Sequence, residues 1–236
     1  MKAAIVTGAS RGIGAATARL LAKQGYYVAV NYHKSTKEAE KVVEEITKNG
    51  GKAFAVQADM GNEAEIIRMF DVVNKKCGGI AALVNNAAIN PSGAVEKMEY
   101  SVVEELFRIN TFGVFTACRE AIKFMKKTGG AIVNVSSEVA RFGGNQMSHY
   151  AASKAAVNAF SIGFAREVAP YNIRVNIVSP GIIDTEAHAG ISAEKLATLP
   201  MGRMGKPEEV AEAIAWLLSD AASYVSGTTL SVSGTR

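Results

Sequence analysis

The chain has 236 residues, 48% hydrophobic and 20% charged, with 22 glycines and 5 prolines. This composition excludes a disordered chain, a collagen-like chain and a disulfide scaffold, and no uncharged apolar run approaches the roughly 18 residues of a membrane helix. Lys and Arg total 26 against 22 Asp and Glu, a net charge of +4, but bases and acids are interspersed, as in Arg119-Glu120 and Arg166-Glu167, so the basic stripe of a nucleic-acid binder is missing.

In chain order, an apolar strand predicted over 3–6 runs into Thr7-Gly8-Ala9-Ser10-Arg11-Gly12-Ile13-Gly14, and a helix follows over 14–24. Glycines so placed allow a tight turn, close approach of backbone to a pyrophosphate, and tight packing of helix on strand. The helix N-terminus adds free N–H groups and a positive dipole. The spacing is G-x-x-x-G-x-G, and its place between first strand and first helix marks a dinucleotide cradle. A second strand over 27–31 ends at Asn31-Tyr32-His33-Lys34. A site that prefers NAD puts Asp or Glu there to bind the ribose 2′-hydroxyl. No carboxylate stands there, and Arg11 in the loop with His33 or Lys34 can attract a 2′-phosphate. The pattern therefore predicts NADP(H), with NAD(H) second. Arg11 is the stronger candidate, because Lys34 reads equally as a solvated charge.

The elements continue as a helix over 36–48, a strand over 53–57, a helix over 63–76 and a strand over 81–84. A long helix over 102–126, a strand over 131–135, a helix over 148–168 and a strand over 174–178 come next. A helix over 207–218 and a strand over 228–232 complete the series. The strands are continuous apolar runs, the mark of strands covered on both faces. Their alternation with helices predicts a single-domain α/β fold over 1–236. Its core is a doubly wound, Rossmann-type parallel sheet of about seven strands with helices on both faces. The least regular stretch, 181–205, has a helical centre and Pro200 near its end, and residues 182–205 read as a lid over a site.

Cys77 and Cys118 stand in no metal-ligand spacing, and His33, His149 and His188 are scattered. Two free thiols, no metal and a reducing, cytoplasmic compartment are expected. The start Met1-Lys2 enters an apolar strand at once, unlike a signal peptide.

Tyr150-Ala-Ala-Ser-Lys154 opens the helix over 148–168, and residues four apart share a helical face. A tyrosine, ordinarily titrating near 10, is a poor acid/base at neutral pH; a nearby Lys⁺ and an oxidised nicotinamide would both lower its pKa. Ser137 lies just after the strand over 131–135, at the sheet edge where open α/β folds bind ligands.

With these residues in place, the chain resembles the short-chain dehydrogenase/reductase superfamily, in its one-domain form. The likeness runs from Thr7 to Gly234. It rests on the glycine loop, Asp59, Asn85-Asn86-Ala87, Asn110, Ser137, Tyr150, Lys154 and Pro180-Gly181, in that order. It implies that Tyr150 is the general acid/base, that Ser137 holds the carbonyl oxygen, and that Lys154 binds the nicotinamide ribose. Asn110 would kink its helix and hold a water linking Lys154 to solvent. Asp59, with Met60, would meet the adenine end, and Asn86, Ala87 and Ala88 would line the cofactor. Pro180, Gly181, Ile183 and Thr185 would flank the nicotinamide. With Gly8, Ser10, Arg11, Gly12, Ile13, Gly14, Asn31, Tyr32 and His33 these form the expected cofactor site.

The resemblance further implies a homotetramer or homodimer and a small carbonyl or alcohol substrate, with neither nucleic acid nor membrane as partner. The pocket wall is expected from Asn90, Glu138, Val139, Arg141, Phe142, Gln146, Met147 and residues 182–190. The chain is similar to bacterial 3-oxoacyl-thioester reductases and equally to sugar and small-alcohol dehydrogenases. The first group carries arginines for an acidic carrier protein where this chain has Thr128 and Tyr171. A cofactor sensor without catalysis would be expected to lose Tyr150 or Lys154, and both are present.

Overall fold

The computed structural model describes residues 2–186 and 189–235. Among these, seven parallel strands form one sheet: β1 (Ala3–Val6), β2 (Tyr27–Tyr32), β3 (Lys52–Gln57), β4 (Ala82–Asn85), β5 (Gly130–Val135), β6 (Ile173–Pro180) and β7 (Thr229–Val232). Their order is β3-β2-β1-β4-β5-β6-β7. The chain builds outward on one side of β1, then on the other. The reversal between β1 and β4 opens a crevice at the carboxyl ends of the strands.

The helices are α1 (Gly12–Lys23), α2 (Thr36–Lys48), α3 (Glu63–Cys77), α4 (Tyr100–Phe107), α5 (Gly113–Met125), α6 (Val139–Phe142), α7 (Ser148–Val168), α8 (Ala193–Ala197) and α9 (Pro207–Leu218). Side chains of the central strands alternate between two cores. Ala3 and Ile5 of β1 pack with Phe70 of α3, Met125 of α5 and Val157 of α7. Ala4 and Val6 pack on the other face with Leu21 of α1, Val42 of α2 and Ile214 of α9. Both faces of the central strands are covered, so both sets of their positions must be apolar, which is why they read as continuous runs. Each fully buried Ile, Leu or Phe contributes about 1.5–3 kcal/mol.

Local chemistry sets the helix ends. Asn62 Oδ1 accepts from Glu65 N at 3.2 Å to start α3, and Gly78, with φ +75°, closes it. At α9, Glu209 accepts from Lys206 N at 2.7 Å while Arg203 forks onto the same carboxylate.

The predicted helix over 102–126 is interrupted. Residues Arg108–Phe112 form a π-helical turn between α4 and α5. Asn110 at its centre is buried and its side chain bonds the backbone of Ile89. The helical centre expected within 181–205 is present as α8, and Ile183 bridges Gly205 in parallel. Residues 187 and 188, including His188, lie outside the described residues. No described helix is long and apolar enough to cross a membrane.

Candidate active site

The glycine loop is wired to the end of β4. Thr7 Oγ1 donates to Val84 O at 3.3 Å and accepts from Asn86 N at 2.9 Å and Ala87 N at 3.0 Å, filling a hydroxyl's capacity. Asn86 Nδ2 donates to the carbonyls of Thr7 and Gly8 at 2.9 and 3.0 Å. Gly8 has φ +61°, and a Cβ there would stand 2.8 Å from Ala87 Cα. A Cβ on Gly14 would strike the Gly8 carbonyl and stand 2.6 Å from Asn86 Nδ2. Ser10 is half-buried, and Ile13 packs on the α1–α9 core. No side chain among the described residues caps α1, so its first N–H groups and dipole are available to an anion. A loop without Cβ atoms, leading into that uncapped end, fits a pyrophosphate.

The adenine end departs from expectation at two residues. Asn31 is 1% exposed. Its Oδ1 accepts from Gly8 N at 3.2 Å and its Nδ2 donates to Val56 O and Ala58 O at 3.3 and 3.1 Å. A buried carboxamide must be paired, so Asn31 ties the loop to β3 and does not face a ribose. Met60 is likewise buried in the core, its carbonyl pressed on Gly113. Tyr32 is half-buried at the end of β2, and His33 is exposed beside it. Asp59 stands at the expected edge. Its Oδ1 accepts from Gly61 N at 2.8 Å, and Arg108 Nη1 lies 3.3 Å from its Oδ2. Burial raises its pKa, but the Gly61 amide, nearby His33 and Arg108 outweigh that and hold the carboxyl below its ordinary range.

Ser137 follows β5, while Tyr150 and Lys154 lie on the first turns of α7. The Tyr150 hydroxyl is hydrogen-bonded to Ser137. Lys154 is 2% exposed and donates from Nζ to Val135 O at 2.8 Å, 5.9 Å from the centre of the Tyr150 ring. Asn110 Oδ1 accepts from Ile89 N at 2.9 Å, and its Nδ2 donates to Ile89 O at 2.9 Å and Ser153 Oγ at 3.3 Å. The expected lowering of the Tyr150 pKa by Lys154 is not found. Burial pushes the phenol up to about 12, against the pull of the Ser137 bond, and pushes the Lys154 ammonium down to about 8. The physical reason is burial: desolvation disfavours the charged form of both groups, and Nζ donates to the Val135 carbonyl.

This shift has a consequence for stability. Lys154 titrates near 8 in the fold and near 10.5 as a free lysine. Between those values the unfolded chain holds more protons, so wild-type stability rises with pH there. Compared with Lys154→Met, wild type is expected to gain between about pH 7.5 and 9.5, read as urea midpoints. An equal gap at both pH values contradicts the burial of a charged lysine.

On the other wall, Pro180 ends β6, and Gly181 N donates to Val232 O at 3.0 Å. Ile183 is buried in the core. Thr185 Oγ1 donates to Ile183 O at 3.4 Å, and its Cγ2 lies 3.3 Å from where a Gly12 Cβ would stand. Arg11 Nη1 meets Glu186 Oε2 at 2.7 Å. Ala87 is half-buried, and Ala88 is exposed without positive φ, so its methyl is accommodated.

Glu138 is withdrawn from the expected pocket wall, since its Oε1 accepts from Ser231 Oγ at 2.6 Å. Asn90, Arg141, Phe142 and Gln146 are exposed, and Val139 and Met147 half-buried. The Arg141 guanidinium lies 4.9 Å over the Phe142 ring. His149 Nε2 bonds Pro91 O at 2.5 Å and Gly93 N donates to Gln146 O at 2.9 Å, joining two loops into one wall.

Sequence reasoning missed Thr7 as the tie between β1 and β4, Arg108 as the partner of Asp59, and Glu186 as the partner of Arg11. A hydroxyl at the end of the first strand was a signal for Thr7. Residue spacing carried none for the other two pairs, which are 49 and 175 residues apart.

A family profile described as "Enoyl-(Acyl carrier protein) reductase" matches residues 8–234. The "uncharacterized oxidoreductase YgfF" of Escherichia coli K12 is 46% identical over 245 residues, covering 99% of each chain. The 3-oxoacyl-[acyl-carrier-protein] reductase FabG of Staphylococcus aureus is 38% identical, covering 99% of this chain and 97% of its own. A short chain dehydrogenase from Burkholderia cenocepacia J2315, solved in complex with NADP, superposes with a TM-score of 0.94 at 36% identity, covering 99% of this chain and 96% of its own. The glycine cradle, the Ser137–Tyr150–Lys154 edge and full-length likeness together place the chain in the short-chain dehydrogenase/reductase family, as an oxidoreductase of that family.

Proposed function

We propose that this oxidoreductase transfers a hydride between NADP(H) and a small carbonyl or alcohol, with Tyr150 as the general acid/base. The observation that carries the reading is the placing of Ser137 after β5 beside Tyr150 on the first turns of α7, with buried Lys154 one turn on and held to Val135 O. When bound, the nicotinamide supplies or accepts the hydride. Ser137 and Tyr150 hold the carbonyl oxygen between two hydroxyls, and Tyr150 passes it a proton in the reductive direction. Lys154 binds the ribose and returns a proton toward Tyr150. Asn110 holds the relay water, its Oδ1 having a lone pair beyond the one given to Ile89 N. The glycine loop and the N-terminus of α1 hold the pyrophosphate, Asp59 the adenine end, and Thr185 the nicotinamide side. Residues 182–205 act as the lid of a single domain. Exposed Phe112 and Tyr224 support a homodimer or homotetramer, and two free thiols suit the cytoplasm.

Arg11 and the missing carboxylate after β2 support NADP(H), as does the neighbour solved with NADP. A charge-assisted hydrogen bond contributes about 1.5–3 kcal/mol, so kcat/KM with NADPH is expected to exceed that with NADH by about tenfold or more. Equal values, or a lead for NADH, contradict the assignment. A second reading, reduction of 3-oxoacyl thioesters, is favoured by the FabG relative. Thr128 and Tyr171 weigh against a carrier-bound substrate. Comparing an acetoacetyl thioester on carrier protein with the same acyl group on a small thiol separates the two readings.

A further inference from the structure

We infer that Glu186 is a specificity-determining residue: its carboxylate competes with the cofactor 2′-phosphate for the Arg11 guanidinium. The inference rests on the reading of Arg11 as a 2′-phosphate ligand. Arg11 stands at the start of α1 inside the glycine loop, and Glu186 lies just past the carboxyl end of β6 on the segment facing that loop. Their 2.7 Å ion pair spans 175 residues of sequence. It is not isolated, because Thr185 next to it stands beside Gly12, its Cγ2 3.3 Å from where a Cβ on that glycine would lie.

The pair shows that the guanidinium can hold an oxyanion at the mouth of the loop. Both side chains are open to water, 59% and 72% exposed, so the contact is weak and exchangeable. A planar fork that already engages a carboxylate can engage a phosphate only by sharing or surrendering it. An uncompensated Glu186 would also repel the phosphate at short range. The carboxylate therefore acts against NADP(H) and leaves NAD(H) untouched, since NAD(H) lacks the 2′-phosphate for which Glu186 competes.

The test is fluorescence titration of NADPH and NADH with wild type, Arg11→Ala, Glu186→Gln and the double variant, without substrate. Glu186→Gln is expected to tighten NADPH binding roughly two- to fivefold, the range of an exposed ion pair. NADH binding should stay unchanged, and the gain should vanish when Arg11 is also Ala. Equal tightening of both cofactors, no change with NADPH, or a gain that persists without Arg11 overturns the role of Glu186. If Arg11→Ala itself leaves the NADPH/NADH affinity ratio unchanged, the reading of Arg11 fails first, and the role of Glu186 falls with it.

Discussion

Replacing Tyr150 by Phe is expected to lower kcat by about 10²–10⁴-fold while NADPH still binds, the usual range for loss of a general acid/base. The change removes one hydroxyl and keeps the ring beside Lys154. Nothing in the glycine loop contacts that hydroxyl, so the cradle is left intact. The loss is about 3–5.5 kcal/mol of barrier, at 1.36 kcal/mol per factor of ten. It should fall on kcat and kcat/KM alike, because proton transfer belongs to the transition state. NADPH titration and steady-state turnover on the same sample separate binding from chemistry. Turnover above a tenth of wild type contradicts the role of Tyr150.

Gly14→Ala is the second large effect, and it acts on the cofactor rather than on the proton. The added methyl has no room: the Gly8 carbonyl, Asn86 Nδ2 at 2.6 Å and Ala9 Cα at 2.9 Å occupy the place. Two of these neighbours are backbone, so the loop or α1 must move. Movement breaks the Asn86 bonds to Thr7 O and Gly8 O that join β1 to β4. Overpacking of this kind costs about 1–3 kcal/mol, which at roughly 2–4 °C per kcal/mol lowers Tm by several degrees. Displacement of the α1 N-terminus should weaken NADPH binding by about tenfold or more, near the worth of one charge-assisted hydrogen bond. Unchanged Tm and affinity contradict the cradle as described.

How much of this was legible in the sequence depended on the range of each interaction. The seven strands and the glycine loop were legible because apolar runs and glycine spacing are local, and a doubly wound sheet demands both. The Tyr150–Lys154 face was legible from helical spacing alone. The break at Asn110 was not legible as periodicity, since a single π-turn within a long apolar stretch adds only one residue; only the family resemblance raised it. Asn31 was misplaced because a strand end offers two faces, and the Gly8 amide and the carbonyls of Val56 and Ala58 decided which way it turned; Met60, in the turn after β3, is drawn into the core. Glu138 was drawn into the wall by its place next to Ser137, yet Ser231 on β7 captures it. The Tyr150 pKa went the other way because sequence shows which charges are near and not how much water is excluded.

The central claim is that a cofactor cradle and a Tyr150 proton donor share one sheet edge as a working carbonyl reductase. The most direct measurement is the loss of NADPH absorbance with purified protein against a panel of acetoacetyl thioesters, aldoses and simple ketones. The account predicts NADPH oxidation matched mole for mole by the alcohol formed from at least one of these carbonyls. Tight NADPH binding with no turnover on any of them would contradict it.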